Sequence, residues 1–331
     1  MDNYISRRAF LRNSAILLGT ASIAGIDKVA GAAKPQKPSH VYFTKDISVE
    51  GLLKVYSKIN RHINGRVAIK LHSGEPHGPN LLPLSLIRGL QKTIPHSTIV
   101  ECNVLYPSPR QQTGTHWETI KTNGFDFCPV EIMDADGDAS LPVPGMREFL
   151  ASPTSSYIQG DHLTEVAVGK GLLKYDSMLV YTHFKGHAMG GFGGSLKNIA
   201  IGCASGQVGK LQVHGTGWPK GPLFLERMVE SGKAITSLFG EKITYINVLK
   251  NLSVDCDCDA HGVPPTCNDI GILASTDILA IDKASIDLVY AQPQDQRHDL
   301  VERIESRTGL HQLEYMKALG MGSDRYELIT V

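Results

Sequence analysis

Short apolar runs rich in β-branched residues alternate along this chain with longer stretches whose apolar positions recur every three to four residues. Residues 67–71 (VAIKL), 98–102 (TIVEC), 130–133 (VEIM), 177–183 (SMLVYTH) and 242–249 (KITYINVL) read as strands, and 326–331 as a last one. The helical period runs through 83–94, opened by Pro83, and through 117–123 and 223–239, closed by Gly124 and Gly240. It returns at 195–203, 282–290 and 300–319. Strands separated by helices predict an α/β fold, a mainly parallel or mixed sheet with helices on both faces. No repeat interrupts the alternation, so residues 40–331 read as a single domain.

The first residues break this pattern. Arg7-Arg8 is followed by Phe10-Leu11, by an apolar stretch of residues 14–26, by Asp27 and Lys28, and by small residues at 30–33. That order resembles a twin-arginine export signal covering residues 1–33, with "KPQKPS" (34–39) as a linker. The apolar run is too short for a permanent membrane span. The export machinery is then an expected partner and the periplasm, or another extracytoplasmic space, the expected location. Cargo of that route travels folded, often with a cofactor already inserted.

The whole chain has zero formal charge and no basic run, which excludes the electrostatic footprint of a nucleic-acid binder. With 331 residues, 42% of them hydrophobic, it has material for a large core and needs no disulfide framework, although its six cysteines permit disulfides.

Chemistry concentrates in loops that follow strands. In "HFKGHAMGGFGGSLKN" (183–198), Gly190, Gly191, Gly193 and Gly194 let backbone N–H groups approach a ligand, and Ser195 stands where it would cap a helix. Lys70, His72, Gly193, Gly194, Ser195, Lys197 and Asn198 form the expected anion-binding set, and His183, Lys185 and His187 the expected proton-moving groups. No Walker or GxGxxG spacing is present. A flexible connector is the plainer reading of the same glycines.

"DCDCDAHGVPPTCND" (255–269) brings Cys256 and Cys258 to one side of an extended chain, with Cys267 returning across a loop. With His261, or a histidine of the 183–198 loop as another ligand, these thiolates suit a tetrahedral zinc, and with one outside ligand an iron–sulfur cluster. A disulfide from Cys267 to Cys256 or Cys258 is the competing arrangement. Asp255, Asp257 and Asp259 would raise the thiol pKa values and favour a harder ion. "KLHSGEPHGPN" (70–80) adds Glu75 as an acid–base candidate, "ECNVLYPSPR" (101–110) adds Glu101 and Arg110, and Asp277 and Asp282 read as helix caps.

Four stretches, "VAIKLHSGEP", "ECNVLYPSPR" followed by His116 and "NGFDF", "THFKGHAMGGFGGSLKNIAIG" and "DCDCDAHGVPPTCNDIGILASTDILAIDKASIDL", resemble the family called domain of unknown function 362. Its members are sometimes described as uncharacterised iron–sulfur centre proteins. The resemblance spans about residues 40–290 and implies an α/β domain holding a metal or cluster. The Cys-x-x-Cys insert of some members is missing here. The expectation is an exported metal- or iron–sulfur-binding enzyme acting on a small carboxylate or phosphate. A non-catalytic periplasmic ligand- or metal-binding protein is the alternative.

Overall fold

Eight strands hydrogen-bond into one sheet in the computed structural model, which describes residues 37–331. The twin-arginine segment (1–33) and linker residues 34–36 lie outside that range, and Ser39 of the expected linker already opens the first strand. The strands are β1 (Ser39–Thr44), β2 (Val67–Lys70), β3 (Ser97–Glu101), β4 (Val130–Ile132), β7 (Ser177–His183), β10 (Ile243–Leu249), β11 (Gly271–Ser275) and β12 (Tyr326–Thr330). Their order is β12-β1-β11-β10-β7-β2-β3-β4. Five pairings are parallel, and only those of β11 with β1 and β10 are antiparallel. Two small ribbons pair β5 (Asp138–Pro142) with β6 (Glu165–Gly169), and β8 (Lys185–His187) with β9 (Gly191–Gly193).

Helices cover both faces, as the alternation predicts. The central strands are apolar on both sides, the pattern of a sheet buried twice. Met178 and Val180 of β7 face one core, shared with α5 (Ser195–Gly202), α7 (Pro222–Phe239) and α8 (Ile278–Tyr290). Leu179 and Tyr181 face the other, shared with α1 (Val49–Tyr56), α2 (Leu84–Gln91) and α3 (Thr113–Thr122). Asp277 caps α8, its carboxylate accepting from the N–H of Ala280 at 2.9 Å. The short helices α4 (Met146–Ala151) and α6 (Gly209–His214) complete the central part. No helix among the described residues is long and apolar enough to cross a membrane.

The single helix expected over 300–319 is two, α9 (Gln294–Ser306) and α10 (His311–Ala318). Between them Thr308 adopts a φ of 50°, and Gly309 packs its backbone on Gly190 and Gly191, where a Cβ would meet the carbonyl of Gly190 at 3.0 Å. The apolar period continues across the break, but the chain must turn there to admit the β8–β9 hairpin.

From β2 the chain steps outward to β3 and β4, whereas from β7 it steps the other way to β10. The winding therefore reverses between β2 and β7. Ligands of open α/β sheets sit at the carboxyl edge of such a switch point.

Candidate metal centre and anion cavity

That edge holds a cavity of about 340 Å³, within the size range of small-molecule sites. Lys70 ends β2, Glu101 ends β3 and His183 ends β7, so three parallel strands deliver polar side chains to one rim. The β8–β9 hairpin and the loop 250–270, which joins β10 to β11, close the remaining sides. They meet because residue 186 is glycine: its N–H donates to Ser253 O at 2.8 Å, and a Cβ there would overlap the Val254 carbonyl.

Cys256 and Cys258 line this cavity with His187, and one ligand atom from each lies within 4.8 Å of the others. In a tetrahedral zinc site two thiolate sulfurs stand about 3.8 Å apart, so the donor set has the right span and the right chemistry. Donation from the Cys258 thiol, together with Lys197 and Lys185, pulls Cys256 well below the ordinary thiol range, while Cys258 is pushed up. Lys197 Nζ stands 3.8 Å from Cys256 Sγ, and the Cys258 N–H donates to the same sulfur at 3.4 Å. Burial, then Lys197, keeps the His187 imidazole neutral, as a ligand must be.

Cys267 and His261 are not part of this group. Cys267 lies in the apolar core and His261 is exposed on the loop, neither lining the cavity. All six cysteines are free, so the alternative disulfide is absent. Asp257 does push the Cys256 thiol up, as expected, but donation from Cys258 and the charges of Lys197 and Lys185 outweigh it. Its carboxylate is taken by Lys185 at 2.6 Å and His183 at 3.0 Å, which hold it far below the usual carboxylate range despite its burial.

His183 corrects a second expectation. Its Nδ1 meets Asp257, and its Nε2 meets the carbonyls of Lys250 at 2.8 Å and Asn251 at 3.1 Å, so no ring nitrogen is left for proton transfer. Lys185 does face the cavity, but through the ion pair with Asp257.

The helix N-terminus at Ser195 is likewise occupied from within. The N–H groups of Ser195 and Leu196 donate to the two oxygens of Asp282 at 2.8 and 2.9 Å, and Asn247 Nδ2 adds a third bond at 2.9 Å. Asp282 therefore caps a helix, though not its own, and burial pushes its carboxyl up to about 6 against those donors. Ser195 is fully buried, its hydroxyl bonded to Asn247, while Gly194 serves as the cap residue and leaves room for Asp282.

Side chains, not the glycine backbone, carry the positive charge of the cavity: Lys70, Arg110, Lys185, Lys197 and Lys210 line it against Glu101 alone. Arg110 holds Glu101 at 3.0 Å, and His116 stands behind it, 3.4 Å from the same carboxylate. Lys70 is 1% exposed and donates to Leu71 O and to Asn198 Oδ1 at 3.1 Å, with no carboxylate in contact, and burial lowers its pKa. Asn198 in turn donates to Tyr181 O and Thr182 Oγ1, which fixes its amide for Lys70. Burial, then Arg110, keeps His72 neutral on the wall. Glu75 is withdrawn behind the wall, accepting from Tyr106 at 2.6 Å and Ser108 at 2.7 Å.

Lys210, His214 and Trp218 escaped the sequence reading. They stand on and after α6, in a stretch with no motif, and reach the cavity only through the packing of that helix against α7 and β6.

A family model, "Domain of unknown function (DUF362)", matches residues 67–287. The chain belongs to this family. The matched segment runs from β2 into α8 and so contains every DUF362 residue of the metal group and the cationic wall. No curated protein matches the sequence. Among solved structures, the lactate racemase apoprotein from Thermoanaerobacterium thermosaccharolyticum aligns at 11% identity and a TM-score of 0.38, over 75% of this chain and 56% of that one. A protein from Thermotoga maritima aligns at 12% identity and a TM-score of 0.36, over 80% of this chain and 59% of its own. This DUF362 protein thus spans less than two thirds of either.

Proposed function

We propose that this protein is an exported metal-dependent enzyme that acts on a small anionic substrate. The observation that carries the reading is the juxtaposition of His187, Cys256 and Cys258 with five cationic side chains in one cavity. His187, Cys256 and Cys258 would hold the ion, a three-ligand donor set of the kind used by catalytic rather than structural zinc sites. When bound, the ion supplies Lewis acidity to a substrate oxygen. Lys197 and Lys70 neutralise and orient the anion, and Arg110 keeps Glu101 ionised and fixed beside them. Proton transfer falls to His72 and Lys70, a neutral imidazole and an amine whose burial favours release of its proton. A mononuclear ion is favoured over an iron–sulfur cluster because, among the described residues, only Cys256 and Cys258 group with His187; Cys102 also lines the cavity but lies outside that group.

The test is cobalt substitution of the full chain. One Co(II) per chain with a thiolate charge-transfer band is expected, lost in Cys256→Ser and Cys258→Ser and retained in Cys267→Ser and His261→Ala. Loss on Cys267→Ser, or four irons with sulfide in anaerobically purified protein, would overturn the mononuclear centre. Metal binding with no turnover of any carboxylate or phosphate would leave a non-catalytic binding protein.

A further inference from the structure

Part of the cavity wall has a different character. Leu105, Met189 and Ile201 face it, and so do His214 and Trp218. The His214 and Trp218 rings stand 4.4 Å apart at 41°, and His214 stacks on Phe224 behind it at 5.0 Å and 14°. His214 is buried, and its Nδ1 has no hydrogen-bond partner, an arrangement a folded chain seldom leaves unless a ligand or water completes it. Burial, then Lys197 and Lys210, keeps this ring neutral, so it does not repel an apolar neighbour with a charge.

Trp218 is held at the mouth by an unusual backbone. Its φ is 56°, and Gly215, Gly217 and Gly221 around it have φ of 75°, 78° and 117°. A bulky residue in the left-handed region is an outlier, and such strained positions cluster at functional sites. Here that conformation lays an indole, 37% exposed, along the rim of a cationic cavity.

We propose that the ligand is an anion bearing a flat ring, with the ring received by Trp218 and His214 and the anionic group by the lysine end. This rests on the anionic-substrate reading and narrows it. A ring laid against the outer side of this Trp218–His214 pair gains offset or edge contacts that an aliphatic acid of the same charge does not, and the four-carbon stems of Lys197 and Lys210 extend the apolar wall toward the charged end.

Calorimetric titration of the full chain with two matched pairs tests it: benzoate against acetate, and phenyl phosphate against inorganic phosphate. In at least one pair the ring-bearing anion is expected to bind tenfold tighter or more, which is about 1.4 kcal/mol. Trp218→Ala should shrink that preference to within twofold, and Trp218→Phe should restore most of it, both with unchanged metal binding. Equal affinity within both pairs, or a preference that survives Trp218→Ala, overturns the ring subsite. If the ringless anions still bind and lose affinity in Lys197→Met, the anion reading stands without the ring. If no anion binds, both fall.

Discussion

Asp282 gives its carboxylate to the first turn of α5 while sitting mid-way along α8, so one side chain ties the strand-to-helix turn of the site to a helix nearly ninety residues later. Asp282→Ala would leave the N–H groups of Ser195 and Leu196 without an acceptor in a dry interior, and would take one of the two acceptors of the Asn247 amide, which keeps Ser285. An unmet buried donor costs about 1 to 3 kcal/mol, so a loss of roughly 3 to 5 kcal/mol is expected in urea unfolding. Asp282→Asn, which keeps one acceptor oxygen, should lose about half. A change below about 1 kcal/mol for the alanine variant would show that the cap is dispensable. At this scale the sequence was informative about residue type and less so about role. Cys256 and Cys258 stand together as expected, but on a turn closed by the Asp259 N–H donating to the Cys256 carbonyl at 2.8 Å, not on the extended chain that their spacing suggested. His187 reads from sequence as either a proton carrier or a supplementary ligand, and the hairpin sets it beside the thiols. Ser195, a good cap by type, is displaced from that position by a glycine and a remote aspartate, which local sequence cannot report.

The glycines of the β8–β9 hairpin do their work through close approach of backbones rather than by cradling an anion. Gly186 lies flush against residues 253 and 254, and Gly191 against Gly309. Gly186→Ala would push the hairpin off the loop that carries the cysteines, parting His187 from Cys256. Cobalt affinity should fall tenfold or more, measured by competition with a chelating dye, while the circular dichroism of the sheet is unchanged. An unaltered affinity would mean that the loops adjust freely. The central parallel strands and the long helices were legible because each has its own apolar period, whereas β1 and the short helices α1, α4 and α6 went unread. The hairpin, β11 and the break between α9 and α10 were not legible, since they are set by which backbone passes over which glycine.

Across the whole molecule, a buried polar layer joins α7 to the segments that flank it. Glu230 meets His162 at 2.5 Å and Tyr315 at 3.0 Å, and Glu226 meets His311 at 2.8 Å. Glu226, then Glu314, raises His311 to about 9, and Glu230 raises His162 against its burial. Both histidines are raised above the ordinary value of 6.5, so this stabilisation is complete below pH 6.5 and is lost as pH rises, the His311 part of it as pH passes about 9. Because His311 is partly exposed, a loss on the order of 1 to 2 kcal/mol is expected between those limits. His311→Gln should flatten the profile, and a wild-type stability that does not fall between pH 6.5 and 9 would remove these pairs from the account.

The antiparallel return of β11 beside β10 has a consequence for how a metal would come and go. Both stems of the loop 250–270 are sewn into the sheet at adjacent positions, and β7, which feeds the hairpin bearing His187, is the next strand over. The donors thus belong to neighbouring tethers on a frame that is complete without them. Loading the ion would fasten two already apposed flaps, and stripping it would unfasten them, with no strand in the sheet obliged to change partners.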